Sequence, residues 1–141
     1  MKIFITGVAG FLGSHLADLM ISQGHTVAGN DNMIGGYADN VPQNVEFSQV
    51  DCCDLENLTK AMEGCDVVYH TAATAYEGLS VFSPSFVTSN IYEASVSVFS
   101  AAISSGVKRI VNCSSMARYG EIQIPFREDM NPKPQDPYGI A

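Results

Sequence analysis

Basic side chains are scarce in this sequence. Seven Lys and Arg stand against 15 Asp and Glu, a formal net charge of −8. A chain this acidic is a poor partner for nucleic acid or for an anionic membrane surface. Any phosphate it binds has to be gripped by backbone N–H groups rather than by a basic patch. Long apolar runs are also missing, and none approaches the ~20 residues that span a bilayer. Met1-Lys2 leads directly into a strand pattern, not into a longer apolar stretch, so no signal peptide is expected. The four cysteines, Cys52, Cys53, Cys65 and Cys113, form no C-x-x-C pair, and no histidine stands at metal spacing from them. That pattern argues against a zinc site or a disulfide framework. It fits free thiols in a reducing compartment, so a cytoplasmic protein without metal is expected. There is no internal repeat and no low-complexity linker. With 46% apolar and 16% charged residues in 141, the composition is that of about one folded domain.

What is present begins near the N-terminus. Thr6-Gly7-Val8-Ala9-Gly10-Phe11-Leu12-Gly13 follows the apolar run Ile3-Phe4-Ile5 and opens an apolar-periodic segment. The order is strand, glycine turn, helix. In such a turn Gly7 lets the chain leave the strand tightly, Gly10 lets backbone approach a diphosphate, and Gly13 lets helix pack on strand. The helix starting at Phe11 and Leu12 then aims free N–H groups and the positive end of its dipole at the phosphates. A strand over 2–6, a helix over 11–22 closed by Gly24, and a second strand over 26–30 follow from this pattern. Asp31 ends that second strand, about 20 residues past the glycines. It is placed to accept hydrogen bonds from a ribose 2′-hydroxyl and to repel a 2′-phosphate, which favours NAD over NADP.

The rest of the chain continues the alternation. A loop over 32–42 precedes a strand over 45–50. Asp51 ends that strand, with Cys52 behind it, where a doubly wound sheet places adenine contacts. Asp54 reads as the N-cap of a helix over 55–63 that Gly64 closes. A strand over 66–70 follows, then the small residues Thr71, Ala72 and Ala73, where backbone has to pass close to a bound cofactor. His70 is read as a packed strand-end histidine and not as a catalyst. Ser83-Pro84 starts a long helix that runs to about 105 and ends at Gly106, with Val87, Ile91, Val98 and Ala102 as its apolar stripe and Phe99 and Ile103 broadening it. The remainder of that stripe could face a second subunit, or core packing alone could explain it. A strand over 107–114, a long loop over 115–135, and a helix start at Asp136-Pro137-Tyr138 complete the chain. The expected fold is α/β, a Rossmann-type doubly wound parallel sheet of order 3-2-1-4-5, with the ligand at the carboxyl edge where strand 1 meets strand 4.

Two later pieces carry chemistry: Cys113-Ser114-Ser115-Met116-Ala117-Arg118-Tyr119-Gly120 and Pro134-Gln135-Asp136-Pro137-Tyr138-Gly139-Ile140-Ala141. With Thr6 to Gly13, Asp31-Asn32 and His70 to Ala73, the chain resembles the extended short-chain dehydrogenase/reductase family. Within it, the likeness is to the NAD-dependent nucleotide-sugar epimerase/dehydratase group, of the UDP-glucose 4-epimerase kind. The resemblance implies NAD as cofactor, a nucleotide sugar as substrate, a homodimer for the full-length protein, and Asn90 as the family's asparagine early in the long helix. It implies Tyr138, the tyrosine of Y-x-x-x-K, as acid/base and, like Asn90, as a cofactor contact, and Ser115 as its partner on the substrate oxygen. The lysine of that motif falls at position 142, one past Ala141. The chain is therefore expected to be an N-terminal fragment, an incomplete NAD-binding domain that lacks the last strands and the substrate-binding region and does not turn over alone. Where dehydratases and decarboxylases of the family commonly carry an acid, this chain has Met116 and Ala117. That favours epimerisation through a 4-keto intermediate over dehydration, decarboxylation, reduction, or a non-catalytic NAD-binding role. Arg118 stands where a small apolar residue is more usual, as a substrate contact or one half of a surface salt bridge.

Overall fold

β1 (Lys2–Thr6) is apolar on both faces because it lies in the middle of the sheet. The computed structural model describes residues 1–121 and 124–141; two residues of the expected 115–135 loop, 122 and 123, lie outside the described residues. β1 pairs in parallel with β2 (Thr26–Asn30) on one side and with β4 (Val67–His70) on the other. β3 (Val45–Ser48) and β5 (Arg109–Asn112) are the edges, so the order is 3-2-1-4-5, as expected. Registers align the carboxyl ends: Thr6 lies opposite Asn30 on one flank and opposite His70 on the other. The switch point of the sheet is therefore at the level of Thr6.

Strand alternation divides the core. Phe4, Ala28 and Val68 point to one face, where α2 (Leu55–Ala61) and α4 (Ala94–Ser104) supply Leu58, Val98, Ala101 and Ala102. Ile3, Ile5 and Val27 point to the other, against Val8 and against Ala17 of α1 (Phe11–Ser22). Each large side chain buried in these layers contributes about 1.5–3 kcal/mol by leaving water.

Three expectations are corrected. The strands over 45–50 and 107–114 are shorter, Val45–Ser48 and Arg109–Asn112. After Ser48 the chain turns, with Val50 N–H bonded to the Ser48 carbonyl at 3.0 Å and the Val50 carbonyl taken by Asn30. The long helix is continuous but not uniformly α: α3 (Pro84–Thr88) passes through a π-helical stretch (Ser89–Glu93) into α4. Val87, Ala94, Val98, Ala101 and Ala102 are buried, while Ile103, assigned to the stripe by spacing, is 75% exposed. One-turn 3₁₀ helices occupy parts of the two expected loops, Ala38–Asn40 and Met116–Tyr119, and another forms at Glu77–Leu79, between the small residues after β4 and the long helix. α5 (Pro137–Ile140) starts where Asp136-Pro137 places it, with Asp136 Oδ1 accepting from Gly139 N–H at 2.7 Å. Among the described residues no helix is long and apolar enough to cross a membrane.

Candidate functional site

The glycine turn and the carboxyl ends of β1, β2 and β4 form one cleft. Its walls include Gly7, Gly10, Phe11, Leu12, Gly13, Asp31, Asn32, Asp51, Cys52, Thr71, Ala72, Ala73 and Asn90. Every residue assigned to the cofactor from sequence is therefore brought together, with the exception of Tyr138.

α1 begins with its N–H groups uncovered. Its N-cap is Gly10, which has no side chain to cap them, and its first turn holds no acid. Helices usually satisfy these donors with a Ser, Thr, Asp or Asn cap. Here no side chain takes them, and they border the cleft, an arrangement suited to an anion. Two glycines make the approach possible. Gly7 sits at φ +69°, and a Cβ on it would come within 2.9 Å of Ala72 Cα. A Cβ on Gly13 would run into the carbonyl of Gly7. The turn, the helix and the segment after β4 are thus packed backbone to backbone.

At the other end the carboxylate of Asp31 is 7% exposed and held from two directions. Oδ2 accepts from Ala9 N–H at 3.1 Å, inside the glycine turn, and Oδ1 from Met33 N–H at 2.8 Å. Each oxygen keeps a lone pair for a ribose hydroxyl. Asp51 Oδ2 accepts from Asn32 Nδ2 at 2.8 Å and Oδ1 from Cys53 N–H at 2.8 Å. Burial alone would raise the Asp51 carboxyl, but the bonds from Asn32 and Cys53 outweigh it and the net shift is downward. Burial pushes the Cys52 thiol up to about 11, so it is neutral at physiological pH. Asn30, fully buried beside it, donates from Nδ2 to the Val50 carbonyl and to Cys52 Sγ. Its Oδ1 has no partner among the described residues.

Sequence reasoning missed part of the lining. Ile34, Gly35, Gly36, Thr74 and Tyr76 also border the cleft. The loop after Asp31 folds over the glycine turn because the Ala9 carbonyl accepts from both Tyr37 N–H and Asn40 Nδ2, each at 3.0 Å. No local spacing announces that closure.

Ser115 and Tyr138 do not line the cleft. Ser115 caps the one-turn helix Met116–Tyr119, its Oγ accepting from Ala117 N–H at 3.1 Å. α5 packs on that same turn: a Cβ on Gly139 would lie 2.8 Å from the Ala117 carbonyl. The segments carrying Ser115 and Tyr138 are therefore neighbours, beyond the end of β5. Arg118 is exposed, without an ion pair among the described residues, and its guanidinium lies 5.0 Å from the centroid of the Tyr119 ring. His70 is buried and packed, as expected; burial pushes its imidazole down to about 4. Among the described residues no group of three or more His, Cys, Asp or Glu could hold a metal.

A Rossmann sheet whose switch point carries an uncapped glycine-turn helix and a ribose-directed acid defines a dinucleotide-binding protein. Residues 3–141 match the NAD dependent epimerase/dehydratase family, and the chain belongs to it, with NAD as its cofactor. It is 32% identical to a UDP-glucose 4-epimerase of Streptomyces lividans, over 99% of this chain and 44% of that protein. Among solved structures, UDP-glucose 4-epimerase of Thermotoga maritima with UDP-glucose superposes with a TM-score of 0.94 at 32% identity, over 99% of this chain and 47% of that one. The enzyme of Brucella ovis in complex with NAD gives the same TM-score and identity, over 99% and 43%. The chain thus spans less than half the length of the relatives it matches.

Proposed function

We propose that this chain is the NAD-binding half of a longer, cytoplasmic enzyme that epimerises carbon 4 of a UDP-sugar through a 4-keto intermediate. The observation that carries the reading is the uncapped start of α1 facing the same cleft as the anchored Asp31 carboxylate. The backbone N–H groups at 11–13 hold the diphosphate, Asp31 the adenosine ribose, and Asp51 and Cys52 border the base. When bound, NAD supplies a site that takes up a hydride and gives it back. Tyr138 takes the proton of the sugar 4-hydroxyl and returns it, and Ser115 hydrogen-bonds the same oxygen. A free phenol has a pKa of ~10, so Tyr138 needs a cation beside it, the role of the lysine expected at position 142. Met116 and Ala117, which cannot move protons, support epimerisation over dehydration or decarboxylation. The names of the relatives support a UDP-sugar. Exposed Tyr92, Val96 and Ile103 on the long helix support a homodimer of the full-length protein.

The test is conversion of UDP-glucose to UDP-galactose by the full-length protein, with and without Tyr138→Phe. Release of carbon dioxide or net consumption of NADH would instead indicate a decarboxylase or a reductase. Function untouched by Tyr138→Phe would indicate a non-catalytic NAD-binding protein.

A further inference from the structure

Thr6, His70, Ser95 and Ile91 form one hydrogen-bonded chain from the switch point of the sheet to the long helix. Thr6 Oγ1 accepts from the N–H groups of Thr71 and Ala72, each at 3.1 Å. Those donors occupy both lone pairs, so the hydroxyl proton is left for His70 Nδ1, 2.8 Å away. Nδ1 must then be the bare nitrogen. At the far end Ser95 Oγ lies 2.6 Å from the Ile91 carbonyl, which can only accept. The serine proton goes there, and Ser95 Oγ accepts from His70 Nε2 at 3.0 Å. Arguments from opposite ends require one tautomer, with the proton on Nε2. The ring is 3% exposed, and Phe99 stands edge-on to it at 6.1 Å between centroids.

The ends of this chain belong to the two walls of the cofactor cleft. Thr71 and Ala72 form one wall. Ile91 lies in the π-helical stretch Ser89–Glu93, which also carries Asn90 into the other. Asn90 is tethered through Nδ2 to the Phe86 carbonyl at 2.9 Å. π-helical turns tend to mark functional positions, because the extra residue redirects side chains. We propose that His70, locked as the Nε2–H tautomer, is a positioning residue for NAD: it ties the turn after β4 to the π-helical stretch and fixes the separation of Ala72 from Asn90. This role rests on the cofactor reading; the tautomer does not.

The test uses the full-length protein labelled with ¹⁵N-histidine. At neutral pH and without cofactor, His70 is expected to show an imine-type Nδ1 and a protonated, slowly exchanging Nε2. The opposite tautomer or a charged ring overturns the proposal. NAD affinity is then measured for Ser95→Ala, His70→Phe and the double variant, with His70→Gln, which keeps a donor for Ser95, as the conservative arm. His70→Phe is expected to weaken NAD about tenfold and Ser95→Ala about fivefold, the scale of one lost hydrogen bond. The double variant should lose no more than His70→Phe, because both cut the same link, and His70→Gln should fall between wild type and His70→Phe. Folded variants that bind NAD like wild type, or losses that multiply, overturn the proposal alone. A wild-type protein with no NAD affinity overturns the cofactor reading and this role with it.

Discussion

Asp31 and Ala9 are joined across 22 positions by a 3.1 Å hydrogen bond, from a backbone N–H inside the glycine turn to a carboxylate oxygen at the end of the second strand. The turn proposed to grip phosphate and the carboxylate proposed to grip ribose are therefore tied directly to one another. Asp31→Asn keeps the shape, removes the charge and replaces one acceptor with a donor. In the full-length protein it should weaken NAD by about ten- to a hundredfold, the range for a hydrogen bond to a charged group. It should weaken NADP less, because the repulsion of a 2′-phosphate is lifted. Binding titrations with both dinucleotides check this; equal losses for the two would remove Asp31 from the ribose.

Gly7→Ala tests the close approach of turn and sheet. The new methyl group meets the backbone of Ala72 at 2.9 Å, on a residue held at φ +69°. A cost of about 1–3 kcal/mol in stability is expected from the backbone conformation and the displaced contact. Chemical denaturation measures it, and a variant as stable as wild type would show that the turn can relax.

His70 also sets a pH dependence. Burial lowers its imidazole from 6.5 to about 4. Between those values the unfolded chain binds a proton that the folded chain refuses. Stability from this group is thus complete above about pH 6.5 and is lost as pH falls toward 4, about 3 kcal/mol over the whole window. His70→Phe should flatten that part of the profile. Urea midpoints at pH 7 and 4.5 give the comparison, and parallel losses in both proteins would contradict it.

Tyr138→Phe separates binding from chemistry. Tyr138 does not line the NAD cleft, so NAD affinity should stay within about threefold while turnover falls by about 10²–10⁴. Isothermal titration and a UDP-sugar assay on the same preparation decide it. A matching loss of NAD affinity would move Tyr138 into the cofactor site.

Much of this was legible in the residues. The glycine turn, Asp31, the strand order and the small residues after β4 depend on local periodicity and on spacings that the backbone must respect. The parts that were not legible are long-range or subtle in phase. The loop over 33–40 closes on the Ala9 carbonyl through Asn40, a contact between positions 31 apart. The π-helical stretch is invisible because one extra residue per turn leaves composition unchanged, and the buried positions Val87, Ala94, Val98 and Ala101 keep spacings that an unbroken α-helix would also give. The Thr6 hydroxyl, which no local spacing singles out, holds the turn after β4 and the imidazole together.

The four thiols differ in reach. Cys52 and Cys65 are buried and Cys53 is half-covered, whereas Cys113 is exposed, two residues before Ser115 and on the far side of β4 from the adenosine end. On this chain a maleimide dye would attach first at Cys113. That gives an optical reporter beside the proposed sugar site, with the dinucleotide groove left unmodified.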